Sequence, residues 1–118
     1  MRKIESLMNE AIINGLNWKS GNTEVKTDSA NISRVFLYGN HIATIGENWV
    51  QLFDGEHQTA TTKSRLNAIC DANAIQGEGV FQKAGKWFVK QYNGVQLGWE
   101  TVQFHSGIVL GDDAVPAV

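Results

Sequence analysis

Apolar residues at the start of the chain recur with a helical period. Ile4, Leu7, Met8, Ala11 and Ile12 fall at i, i+3, i+4, i+7 and i+8, one stripe at 3.6 residues per turn. Lys3, Glu5, Asn9 and Glu10 lie mostly off that stripe. The pattern predicts a helix over residues 3–14, stopped at Gly15, whose left-handed freedom suits a C-cap. Lys19-Ser20-Gly21-Asn22 reads as a turn, and the period then changes to two. Thr23–Thr27 alternates around Val25, and Ile32–Tyr38 is rich in β-branched and aromatic residues. Gly39-Asn40 offers a two-residue hairpin turn, because both residues tolerate positive φ. His41–Ile45, a turn at Gly46-Glu47-Asn48 and Trp49–Phe53 follow, ended by Asp54-Gly55. Short strands at this spacing predict an antiparallel meander.

A second helical stretch comes next. Thr61 or Thr62 supplies a capping hydroxyl, and Leu66, Ile69, Cys70 and Asn73 fall at i, i+3, i+4 and i+7. Lys63, Arg65 and Asp71 are expected to face solvent, and this short helix ends before Gly77. Val80–Lys83, the turn Ala84-Gly85 and Lys86–Tyr92 then form a hairpin candidate. Asn93-Gly94 turns again, followed by Val95–Leu97, Trp99–His105 and Ile108–Leu110 as strands. The order is an N-terminal helix, an antiparallel meander, a second short helix and further antiparallel strands. That is an α+β domain with an antiparallel sheet, single over residues 1–110. Residues 111–118, with Asp112 and Asp113, are expected to form a flexible tail.

The chain has 118 residues, enough for one domain with a core of its own. Twelve acidic residues against ten basic ones give a charge of −2. That excludes a polybasic nucleic-acid binder and a strongly acidic DNA mimic. Cys70 is the only cysteine, so no disulfide forms within the chain, which fits a reducing interior. No segment approaches the ~20 apolar residues that span a bilayer. Glu5, Asn9 and Glu10 interrupt what would be the apolar stretch of a signal peptide. The expected location is therefore cytoplasmic, with no membrane partner.

The usual chemistries find little support in the spacing. His41, His57 and His105 are far apart, and none has a second ligand at helical or turn spacing, so no metal set is expected. Cys70 lies on the apolar stripe of the second helix, where a packed thiol is the usual occupant. No Gly-x-Ser-x-Gly elbow and no phosphate loop occurs. Asp54 with Glu56, and Asp112 with Asp113, sit in turn and tail sequence. No cofactor and no catalytic group is expected. The remaining route to an enzyme is a site assembled from dispersed residues, one of the three histidines with a carboxylate.

One segment does suggest binding. Phe81 to Tyr92 holds three lysines, four aromatic residues and no acid. In a strand, Lys86, Phe88, Lys90 and Tyr92 share one face, while Trp87, Val89 and Gln91 share the other. Rings mixed with lysines can stack bases and hold phosphates, dock a protein, or simply line a solvated sheet face, since lysine stems cover aromatic surface. Lys83 adjoins this face, and Lys63 and Arg65 would add charge if the second helix lies nearby. Of four tryptophans, Trp49 and Trp87 fit as core anchors. Trp18 and Trp99 sit at element edges, where an exposed ring can anchor a protein interface.

The order of Ser20-Gly21-Asn22-Thr23-Glu24-Val25, Val35-Phe36-Leu37-Tyr38-Gly39-Asn40-His41-Ile42-Ala43, Thr61-Thr62-Lys63-Ser64-Arg65-Leu66-Asn67-Ala68-Ile69 and the Gly79–Val89 run resembles a group of small tailed-bacteriophage proteins. The resemblance spans about residues 20–110. It implies a phage origin and expression in the cytoplasm of an infected bacterium, and it implies no activity. The resulting expectation is a non-enzymatic phage accessory protein that binds a host or phage protein, with inhibition of a host enzyme or defence complex as its sharpest form. The alternative is a nucleic-acid-binding module using the lysine and aromatic face. A place in the virion stays open, as does a dimer through an uncovered sheet edge.

Overall fold

The computed structural model describes residues 1–111. Helix α1 spans Lys3–Ile13 and ends at the expected glycine. Gly15 takes φ +64°, and the Gly15 and Leu16 N–H groups donate to the Ile12 and Ala11 carbonyls at 3.2 and 2.9 Å. Its buried stripe differs from the one the apolar pattern predicts. Glu5, Met8, Asn9, Ala11 and Ile12 face inward, and Leu7 is exposed. The helix is rotated because its two polar residues find partners, and bonded polar groups tolerate burial. Asn9 Nδ2 donates to the Ala68 carbonyl at 3.0 Å, and Glu5 meets Arg65.

Five strands follow: β1 (Trp18–Ser20), β2 (Thr23–Thr27), β3 (Ser33–Leu37), β4 (Asn40–Gly46) and β5 (Trp49–Leu52). The meander therefore starts one strand earlier than expected, and its first turn narrows to Gly21-Asn22 between the paired Ser20 and Thr23. The β3–β4 hairpin turn is Tyr38-Gly39 rather than Gly39-Asn40. Leu37 pairs with Asn40, and Tyr38 and Gly39 take φ +51° and +78°. An irregularity at Val35/Phe36 pairs Val35 with Ala43 and Phe36 with His41. Ile42 is left as the extra residue, buried beside Ala43.

Helix α2 (Ala60–Asn73) is the longer of the two, with 14 residues. Its cap is Thr59, not Thr61 or Thr62: Thr59 Oγ1 accepts the Thr62 N–H at 3.1 Å. Strands β6 (Gly79–Lys83), β7 (Lys86–Tyr92), β8 (Trp99–Gln103) and β9 (Ile108–Leu110) complete the described chain. Val95–Leu97 forms no strand. It lies in a turn closed by Gly98 N–H to Gly94 O at 2.7 Å and Asn93 N–H to Gly98 O at 2.8 Å.

The class is α+β, but the strands form two antiparallel sheets rather than one. The first has the order β1-β2-β3-β4-β5-β9, and the second β6-β7-β8. The last strand returns to the first sheet, where Ile108 and Leu110 pair with Leu52 and Val50. One core serves both sheets. It runs from Met8, Val25, Val35 and Leu52 through Leu66 and Ile69 to Val80, Trp87, Val89 and Phe104. Trp87 and Phe104 meet edge-on at 5.4 Å between ring centroids. Gly111 is buried, and the rest of the expected tail lies outside the described residues.

Candidate binding face

The second sheet separates its residues by strand alternation. Trp87 and Val89 point into the core, so Lys86, Phe88, Lys90 and Tyr92 point outward, as the strand pattern predicts. The register adds neighbours. Phe81 pairs with Phe88, Lys83 with Lys86, Lys90 with Thr101 and Tyr92 with Trp99. The outer face thus carries Lys83, Lys86 and Lys90 among Phe81, Phe88, Tyr92 and Trp99, with no acid between them. Glu100 pairs with Gln91 and so belongs to the opposite face.

The rings are ordered against one another. Phe81 and Phe88 stack with centroids 5.7 Å apart and planes at 25°. Lys90 Nζ lies 5.0 Å from the Trp99 ring centroid, and Tyr92 packs on the same indole at 5.2 Å. Trp99 lies close against Gly77, where a Cβ would come within 2.9 Å of the indole. A shallow hollow is left between Phe81, Lys83, Lys86, Phe88 and Thr101. The outer face of the first sheet differs in charge. There Lys26 and Arg34 stand beside Glu24 and Asp28, and Arg34 is paired with Asp28 at 3.1 Å.

Two expected members of the face lie elsewhere. Arg65 is buried, not solvent-facing. Its Nη1 donates to Glu5 Oε2 at 2.7 Å, its Nε to Thr23 Oγ1 at 3.0 Å and its Nη2 to Asn22 Oδ1 at 3.3 Å. Ser64 Oγ donates to the same Glu5 oxygen at 2.6 Å. Arg65 therefore ties α2 to α1 and β2. Lys63 reaches Gln82 Oε1 at 3.4 Å, and Gln82 alternates with Phe81 and Lys83, so Lys63 meets the sheet from its helix side. Trp99, which the sequence leaves at an element edge, joins the face instead. The missing signal was the β7–β8 register.

The histidines do not converge. His41 sits between Phe36 and Phe53, with ring centroids at 5.6 and 4.6 Å, and its Nε2 bonds the Ala43 carbonyl and Thr44 Oγ1. Burial, helped by the Arg34 charge, holds it below its ordinary pKa and favours the neutral ring, while the Ala43 bond acts the other way. His57 lines a cavity of about 250 Å³ with Leu37, Tyr38, Ile42 and Asp54. The Asp54 carboxylate there is engaged by the Glu56 N–H, Ser106 Oγ and Gln58 Nε2. His105 is exposed beyond β8. Cys70 is fully buried, and burial with the Glu78 and Asp71 charges pushes its thiol up, so it stays protonated. Among the described residues, no three of His, Cys, Asp and Glu gather as metal ligands. Nor is any helix there long and apolar enough to cross a membrane.

The motifs that carry the phage resemblance lie along both sheets and α2 of this α+β chain. The family comparison extends that resemblance to the whole described chain. The model of the Kyanoviridae Gp96 protein matches residues 1–111, and the chain belongs to that phage protein family. No curated protein and no solved structure matches it.

Proposed function

We propose that this protein is a non-catalytic phage accessory protein that binds an acidic partner protein through the outer face of β6-β7-β8. The observation that supports this reading is the acid-free set Lys83, Lys86 and Lys90 among ordered rings, on a chain whose net charge is negative. A locally positive patch on an acidic molecule steers an acidic partner to one place. Exposed Trp99, with Leu97 and Val95 at the adjoining tip, supplies the apolar contact that protein interfaces favour. In its sharpest form, the partner is a host enzyme or defence complex, and the protein acts in the cytoplasm of the infected cell.

Tagged protein is used to capture partners from bacterial lysate with and without nuclease. A discrete protein band that survives nuclease is expected. Lys86→Glu with Lys90→Glu is expected to weaken binding roughly 10- to 100-fold, about 1.4–2.8 kcal/mol, with the fold intact. Full binding by the double variant would remove this face from the reading.

The stacked Phe81 and Phe88, flanked by lysines, favour one second reading, a single-stranded nucleic acid. Three lysines on three phosphates would give log K a slope near −2 against log salt, roughly −0.7 for each phosphate. Captured material that disappears with nuclease would select this reading.

A further inference from the structure

Four strands end the two sheets: β1 and β9 in the first, β6 and β8 in the second. β1 and β9 have three residues each, too short to template much. The edge of β6 is capped by α2 at Val80, where Asn67 accepts the Val80 N–H and donates to the Val80 carbonyl, both at 2.8 Å, which leaves Gln82 as its one outward residue. β8 has none of these protections. It is five residues long, contains no lysine or proline, and pairs with β7 alone among the described residues.

The register tells which backbone groups of β8 face outward. Phe104 N–H donates to the Trp87 carbonyl at 3.0 Å, so the ladder bonds at Phe104 and, by alternation, at Val102 and Glu100. The N–H and C=O groups of Trp99, Thr101 and Gln103 therefore point away from β7. They form an evenly spaced row of donors and acceptors, symmetric about Thr101.

We propose that β8 pairs antiparallel with β8 of a second copy of this chain, across a two-fold axis at Thr101. In that register, Thr101 faces Thr101, Trp99 faces Gln103 and Glu100 faces Val102, so no like charges stand opposite. Every outward N–H meets an outward carbonyl. A two-fold axis lets both copies use this same edge, and the side-chain register about Thr101, free of opposed like charges, favours a second copy as the occupant. The two three-stranded sheets become one, and their lysine-bearing faces run on across the axis. This inference does not depend on what that face binds.

The test is the mass of the full chain by sedimentation equilibrium over a concentration series. Twice the 13.0 kDa chain mass is expected at the upper end. Thr101→Pro removes the central outward N–H, and Thr101→Lys sets like charges against each other at the axis. Both should return the mass to that of one chain, with circular dichroism unchanged. The Thr101 side chain is exposed, so Thr101→Lys keeps the test valid if Thr101→Pro fails to fold. Mixing Thr101→Lys with Thr101→Glu should restore the double mass. A single-chain mass for the unmodified protein at every concentration overturns the proposal. So does a dimer that Thr101→Lys leaves intact.

Discussion

Glu5 and Arg65 are 60 positions apart and meet with both side chains almost wholly out of water. Two desolvated charges are held by mutual attraction and by added bonds from Ser64, Thr23, Asn22 and the Arg2 N–H. Removing one partner strands the other, and such losses run to about 3–5 kcal/mol. Arg65→Met should therefore destabilise the fold by that amount in chemical denaturation. Glu5→Leu combined with Arg65→Met should recover most of the loss, because no charge is left buried. The pair also makes the protein sensitive to acid. Burial acts to raise the Glu5 carboxyl, but the Ser64, Arg65 and Arg2 bonds and the Arg65 charge outweigh it, leaving it below its ordinary 4.5. A lowered folded value means that the unfolded chain binds more protons in the interval between the two values. The stabilisation is full above about 4.5 and is lost as pH falls through the folded value. Stability measured against pH should drop over that interval, and Glu5→Gln should flatten the drop. A curve of the same steepness in the variant would rule out this pair as its source.

At the scale of elements, turns and caps carry the local energetics. Tyr38 holds φ +51° in a two-residue turn while its side chain is largely exposed. A non-glycine residue is strained there, and asparagine tolerates the conformation better. Tyr38→Asn should raise stability by roughly 0.5–1 kcal/mol in thermal or chemical melts. No gain would mean that the Tyr38 ring, which borders the His57 cavity, contributes more than its exposure suggests. The same local chemistry explains what could be read from the sequence. Ala84-Gly85 and Gly15 are placed correctly because positive φ is a property of one or two residues. Helix orientation is not local. Glu5 and Asn9 read as solvent-facing from periodicity, and only partners on α2 make their burial favourable. Arg65 misleads in the same way, although Thr62, Arg65, Leu66 and Ile69 share one helical stripe. That spacing was the available signal. The lysine face was legible because alternation along β7 is a backbone property. Its aromatic border at Trp99 was not, because register across a six-residue loop depends on the tertiary fold.

At the scale of the whole molecule, the two sheets share one core, and a single buried carboxylate fastens them. Glu78 lies 4% exposed, between α2 and β6. Its Oε1 accepts the Ile75 N–H at 2.9 Å and the Gly111 N–H at 3.1 Å, and its Oε2 accepts the Tyr92 N–H at 2.9 Å. These three donors belong to the turn after α2, the residue after β9 in the first sheet, and the end of β7 in the second. Gly111 fits this junction because its φ is +112° and a Cβ would collide with the Asn48 carbonyl. In the sequence, Gly77-Glu78-Gly79 reads only as the approach to a strand, since neither Gly111 nor Tyr92 is near it along the chain. Glu78→Ala leaves three backbone donors without their acceptor, the Gly111 N–H buried and the Ile75 and Tyr92 N–H groups partly so. Each unsatisfied buried group costs about 1–3 kcal/mol. The loss falls on the connection between the sheets rather than on either ladder. Native-state hydrogen exchange should therefore show β6–β8 amides opening ahead of those of β2–β5 in Glu78→Ala, while the unmodified chain opens both together. An equal loss of protection in both sheets would place the weakness in the shared core and remove Glu78 as the link.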